Sequence, residues 1–231
     1  MRQLLDERKR LNLDASLPIL AQLADALDYL GGQGLVHRDV KPANVMIENE
    51  ERDLCVTLTD FGLVRSLEAS TQVTERASVL GTPAYLAPEQ ADASRWGEVT
   101  RLTDVYALGV IAYEMLVGRQ PFVGELAAVL HAHSYEPPPP PLELAPDLGA
   151  DLAQVLVQAL AKSPAERYPG ASALAAALRQ VAEARAGQAK QKAELAQLLE
   201  RAQAARQVGD WLGVQNLCVQ MGPEIARVPP G

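Results

Sequence analysis

Residues 35–62 read LVHRDVKPANVMIENEERDLCVTLTDFG, and three side chains in that stretch could serve one reaction. Asp39 can orient a hydroxyl group and take up its proton. Asn44 follows five residues later with an amide, and Asp60 a further sixteen residues on with a carboxylate; both are oxygen donors able to hold a divalent metal. A hydroxyl-orienting aspartate beside an amide and a carboxylate for metal is what phosphoryl transfer from a nucleotide demands. His37 and Arg38 precede the aspartate directly, and Phe61 and Gly62 follow Asp60.

These groups must be brought together by the elements around them. Val45–Ile47 and Cys55–Thr59 are β-prone runs about the polar turn ENEERD, which predicts a hairpin. Such a hairpin sets Asn44 and Asp60 at adjacent strand ends. Before it, residues 16–30 place Leu17, Ile19, Leu20, Leu23, Leu27 and Leu30 on one broad face, an amphipathic helix. Ser16 or Asp14 is its expected cap and Gly31-Gly32 its end. The glycines at 31, 32 and 34 follow a helix rather than a strand, so they are no phosphate-binding loop. Residues 2–10 read as a short charged helix.

Beyond the hairpin, residues 63–80 are polar and without period, which predicts a loop. The stretch GTPAYLAPE at 81–89 closes it. Asp104–Leu116 is apolar nearly all round, the mark of a helix buried at the centre of a domain, with Gly118 as its stop. Further helices are expected at 124–134, 150–161 and 171–185. The five prolines at 137–141 suit a rigid connector between helices or an SH3-type ligand. His131 and His133 are two apart, so on a helix they face apart and make a poor metal pair. Residues 188–207 read as a polar, alanine-rich helix, and 211–221 as a last short one. The helix–GDW–helix outline is faintly similar to one tetratricopeptide unit, but a single repeat cannot bury its own face.

Bulk properties narrow the function classes. Apolar residues make up 48% of the 231, enough for a core, but only 4% are aromatic, which favours helix over sheet. A net charge of −8 argues against a nucleic-acid binder and against a polybasic membrane-surface protein. Cys55 and Cys218 have no partner at zinc-ligand spacing. The charged start MRQLLDERKRLNLD is unlike a secretory signal, and Val105–Val117, broken by Glu114, is too short to span a bilayer. The expectation is a cytoplasmic protein with no nucleic-acid or membrane partner.

The pattern H-R-D-x-x-x-x-N followed by D-F-G, with A-P-E at 87–89, resembles the serine/threonine protein kinases, most of all the bacterial kinases of eukaryotic type. The resemblance covers about residues 1–185. It implies a mainly α fold, the kinase C-terminal lobe with a small β-hairpin by the catalytic loop, followed at 186–231 by a helical extension, a coiled coil or helical hairpin. It also implies roles. Asp39 serves the substrate hydroxyl, Lys41 steadies the transferring phosphate, and Thr82 hydrogen-bonds both. Asn44 and Asp60 bind Mg²⁺, and Met46 lies beneath the adenine of ATP. Arg38 receives an activation-loop phosphate, carried by Thr74 or else by Thr71 or Ser78. His37 and Phe61 belong to an internal hydrophobic column, with Gly62 completing the D-F-G. Glu89 and Arg167 form a buried ion pair, and Asp104 holds the catalytic-loop backbone.

A kinase also carries a glycine-rich loop, a strand lysine and a helix glutamate above the nucleotide. Only 36 residues precede His37, whereas five strands and a helix need roughly 40 before any loops. The N-terminal lobe is therefore expected to be missing, ATP and Mg²⁺ binding weak or absent, and the lone chain inactive. The resemblance implies a protein substrate or a partner kinase. The remaining alternatives are a non-catalytic interaction or scaffold protein and a decaying gene fragment.

Overall fold

A computed structural model describes residues 1–50, 53–60, 65–66 and 83–227. The chain divides into two compact units, Met1–Arg179 and a second that begins at Gln180. The first is built on helix α5, Arg101–Val117, whose residues from Thr103 to Val117 are all buried. A helix buried on every side needs no polar stripe, which accounts for its unbroken apolar run. Thr100 caps it by accepting from the Leu102 N–H at 3.2 Å. Gly118 ends it at φ 93°, a left-handed turn that glycine takes without strain.

Two helices flank the pillar. Helix α2, Leu13–Gly32, follows the short α1, Arg2–Arg8, and lays Ile19, Leu20, Leu23, Ala24 and Leu27 into the core. It starts earlier than its pattern suggests. Asn12 is the cap, accepting from the Ala15 N–H at 2.8 Å, while the expected cap Ser16 instead donates to the Asn12 carbonyl. The end at Gly32 is where the sequence places it. Helix α8, Ala150–Ala159, approaches α5 from another side. There a Cβ on Gly109 would sit 2.8 Å from the Ala159 Cβ, so only glycine lets the two backbones come so near.

Strand β1, Leu35–Val36, leads into the hairpin β2, Val45–Glu50, and β3, Asp53–Leu58. They pair antiparallel with Val45 opposite Leu58 and Ile47 opposite Val56, and β1 pairs with β4, Arg65–Ser66. The hairpin is held to α2 by one amide. Gln22 donates to the Leu54 carbonyl and accepts from the Val56 N–H, at 2.8 and 2.9 Å, so it satisfies backbone groups that β3 would otherwise leave unpaired.

The short helices α3, Pro88–Ala91, and α4, Ala93–Trp96, precede α5. After it come α6, Leu126–Tyr135, and α7, Pro141–Leu144. The prolines between α6 and α7 connect them, and the buried Tyr113 donates its hydroxyl to the Pro139 carbonyl at 2.9 Å. The last two expected helices of the lobe and extension, 171–185 and 188–207, are one helix, α9, Ala171–Gln207. Gly187 lies inside it, since one glycine costs a helix only about 1 kcal/mol and does not stop it. Asp28 of α2 caps its start, accepting from the Ala171 and Ser172 N–H at 2.9 and 2.8 Å.

In the second unit, α10, Trp211–Arg227, buries Leu217 and Met221 and exposes Trp211, Leu212 and Val219. Asp210 accepts from the Gly213 N–H at its start. No described helix is long and apolar enough to cross a membrane.

Candidate active site

The loop from His37 to Asn44 is fastened from below. Asp104, near the start of α5, accepts from the backbone N–H of His37 at 2.8 Å and of Arg38 at 2.9 Å, one on each carboxylate oxygen. Burial pushes its carboxyl up to about 6, and the two N–H donors pull the other way. Gln90 of α3 donates to the Arg38 carbonyl at 2.8 Å. Arg38 itself sits at φ 69°, left-handed backbone that a non-glycine residue adopts at a cost of about 1–3 kcal/mol when its surroundings demand it. The fully buried His37 places Nε2 3.2 Å from the Thr59 carbonyl, and burial lowers the pKa of its ring.

On this footing three of the chemical residues meet. Lys41 Nζ donates to Asp39 Oδ2 at 2.8 Å, and Asn44 Nδ2 donates to the same oxygen at 2.9 Å and to the Asp39 carbonyl at 2.9 Å. The Asp39–Lys41 pair is partly open to solvent. Asn44 spends its amide N–H groups on Asp39, which leaves the amide oxygen as the atom that could bind metal.

Asn44 closes the turn before β2, and Thr59 and Asp60 follow β3. The Thr59 N–H and hydroxyl both donate to the Asn44 carbonyl, at 2.8 and 3.1 Å, so the strand ends bearing the two metal candidates are tied together. Asp60 is exposed and left-handed at φ 63°. Met46 is half-exposed on β2. Among the described residues, no three His, Cys, Asp or Glu side chains converge as a metal cluster of their own. A hard cation bound mainly by substrate phosphates needs just one or two protein oxygens, and the Asn44 amide oxygen and the exposed Asp60 carboxylate are oxygens of the kind such a cation would take.

Glu89 and Arg167 meet farther down. Two parallel N–H···O bonds of 2.7 Å join them, and both side chains have no exposure. Each remaining guanidinium N–H also has an acceptor, on the carbonyls of Ala161, Leu102 and Lys162 at 2.9 Å. The Thr103 hydroxyl completes Glu89 at 2.8 Å. The pair therefore joins α3 to the loop before α9. Phe61, Gly62, Thr71, Thr74, Ser78 and Thr82 lie outside the described residues.

Sequence reasoning missed one polar network. Tyr85 hydrogen-bonds Glu114 of α5, Gln120 donates to the Tyr85 hydroxyl at 2.9 Å, and Arg2 of α1 donates to Glu114 at 2.9 Å. Glu114 is visible as the one charge in the apolar run Val105–Val117, but nothing in its neighbourhood names partners so distant in the chain.

The first unit is a helical body that carries an aspartate–lysine–asparagine loop beside a short hairpin, the architecture of a kinase C-terminal lobe. The chain belongs to the protein kinase family: the family model for the protein kinase domain matches residues 1–178. It is 41% identical over 164 residues to serine/threonine-protein kinase PknB of Mycobacterium leprae, covering 71% of this chain and 25% of that protein. It is 42% identical over 166 residues to serine/threonine-protein kinase Pkn1 of Myxococcus xanthus, covering 71% of this chain and 24% of that one. The crystal structure of the Mycobacterium tuberculosis PknI kinase domain superposes with a TM-score of 0.55 at 32% identity, over 74% of this chain and 56% of that chain. The chain thus spans about a quarter of the length of the curated relatives it matches.

Proposed function

We propose that this chain provides the floor of a site that transfers the γ-phosphate of ATP to a serine or threonine hydroxyl of a protein. The observation that carries the reading is the convergence of Lys41 and Asn44 on one oxygen of Asp39, at 2.8 and 2.9 Å. Two donors on Oδ2 fix the carboxylate and leave Oδ1 to accept the proton of an incoming hydroxyl. Lys41, held beside it, supplies positive charge where a phosphoryl group would pass, and fixed charge of this kind is the main resource of phosphoryl transfer. Asn44 and Asp60 would hold Mg²⁺, which neutralises phosphate charge when bound. Met46 offers an apolar surface to the adenine. Arg38 is the proposed receiver for a phosphate on Thr74, Thr71 or Ser78, and Thr82 the proposed partner of Asp39 and Lys41.

Metal–nucleotide binding by the 231-residue chain tests this directly. Mn²⁺ added with ATP is expected to broaden the amide resonances of Asn44, Val45, Thr59 and Asp60 selectively. Asn44→Ala and Asp60→Asn should each weaken that effect at least tenfold. Broadening spread evenly over exposed carboxylates, and unchanged in both variants, would sink the reading.

A further inference from the structure

Lys162 lies in the loop between α8 and α9, outside every role assigned above, yet its ammonium is surrounded. Nζ donates to the carbonyls of His133 at 2.7 Å and Ala132 at 3.0 Å, both in the last turn of α6. It lies 4.6 Å from the centre of the Phe122 ring and 5.8 Å from that of Tyr106, whose hydroxyl is 3.5 Å away. The carbonyls that end a helix have few partners within it, and a cation there is favoured by the helix dipole as well. An ammonium over an aromatic face gains further attraction, more when water is excluded.

Phe122 and α6 also form the wall of a cleft. Its volume is about 340 Å³, and Pro83, Ala84, Phe122, Val123, Leu126 and Val129 line it. Phe122, Val129 and Ala132 pack as one buried cluster. His133 stands edge-on to Phe122 at 4.9 Å and to Tyr106 at 5.7 Å, and shares a 2.9 Å hydrogen bond with the Tyr106 hydroxyl. Arg167 lies 4.8 Å from the centre of the Tyr106 ring, with Glu89 as its counter-ion. Lys162 thus grips the end of α6 and the Phe122 ring at once.

We propose that Lys162 is a positioning residue for this cleft, fixing its α6–Phe122 wall against Pro83 and Ala84 from outside the cleft itself. Pro83 follows Thr82 directly, so on the phosphotransfer reading the wall belongs to the substrate side of the site. That assignment of purpose rests on the proposed function, whereas the grip of Lys162 on the wall does not.

The experiment compares Lys162→Met and Lys162→Arg with the unaltered chain, by hydrogen exchange and methyl resonances without any ligand. Methionine keeps the unbranched apolar stem and removes the charge and its donors. With Lys162→Met, amide exchange at residues 130–136 should rise about tenfold, and the methyls of Val123, Leu126 and Val129 should shift. Exchange in α2 and α5 should stay as it was. Lys162→Arg, a cation with donors, should restore most of both signals. Unmoved cleft methyls in Lys162→Met would overturn the proposal. So would a rise in exchange spread equally through α2, α5 and α6, or an arginine variant no better than methionine. Failure of the metal–nucleotide test alone would leave this result standing.

Discussion

The backbone N–H of Arg38 donates to Asp104 Oδ1 at 2.9 Å, and Arg38 is one of the few non-glycine residues here at positive φ. The buried carboxylate and the unfavourable backbone belong together. Asp104 holds the turn that brings Asp39 round to Lys41 and Asn44, and it does so from α5, buried from Thr103 to Val117.

Asp104→Asn keeps one acceptor oxygen and puts an amide donor against an N–H group. The expected loss is about 1–3 kcal/mol, the range for a buried donor left unmade. Urea denaturation gives the stability change, and the His37 and Arg38 amide resonances report release of the loop. A variant with unchanged midpoint and unchanged amides would show that Asp104 does not hold the turn.

Breaking the pair of Glu89 and Arg167 from one side should be more severe. Glu89→Gln leaves a guanidinium buried against a neutral amide, and about 3–5 kcal/mol is the expected penalty. Arg167→Met strands the carboxylate at similar cost. The double variant Glu89→Gln with Arg167→Met should lose clearly less than the two single losses added. Strict additivity in chemical denaturation would mean that the two side chains do not stabilise one another.

Two of the contributions to acid stability oppose one another. Burial, reinforced by the nearby Lys162 charge, holds His133 down to about 3, against an ordinary 6.5. Between those values the unfolded chain takes a proton that the folded chain refuses, so this residue makes stability rise with pH, by at most about 1.4 kcal/mol per unit. Asp104 acts in reverse. With its folded carboxyl up at about 6 and an ordinary value of 3.8, the folded chain keeps a proton that the unfolded chain has lost, and stability falls as pH climbs between them. Urea midpoints of His133→Gln at pH 4, 5, 6 and 7 should therefore fall more steeply, or rise less, than those of the unaltered chain. Parallel pH profiles would rule out a buried neutral imidazole.

Much of this was legible in the letters. The spacing from His37 to Asn44 and on to Asp60 selects residue types that chemistry requires, and the all-round apolar run of α5 can exist only in a core. The first turn of α2 was less so. Ser16 and Asp14 are good caps by type, but the preceding chain is pinned where the Leu11 N–H donates to the Met115 carbonyl, and Asn12 lies next to that anchor. The unbroken α9 was hidden because a glycine in polar sequence resembles a stop as readily as a passenger. Arg2 with Glu114, and Lys162 with Phe122, were out of reach altogether. Such pairings follow from how helices stack, and neither residue type nor local period encodes the partner.

Gly109 has a reach beyond its own helix. A methyl there would collide with the side chain and backbone of Ala159, at the last residue of α8. Two and three residues later, the carbonyls of Ala161 and Lys162 receive the guanidinium of Arg167. The hydrogen atom at 109 thus acts as a spacer gauge: it sets how deep the exit of α8 sits, and with it whether an arginine far along the chain finds its seat.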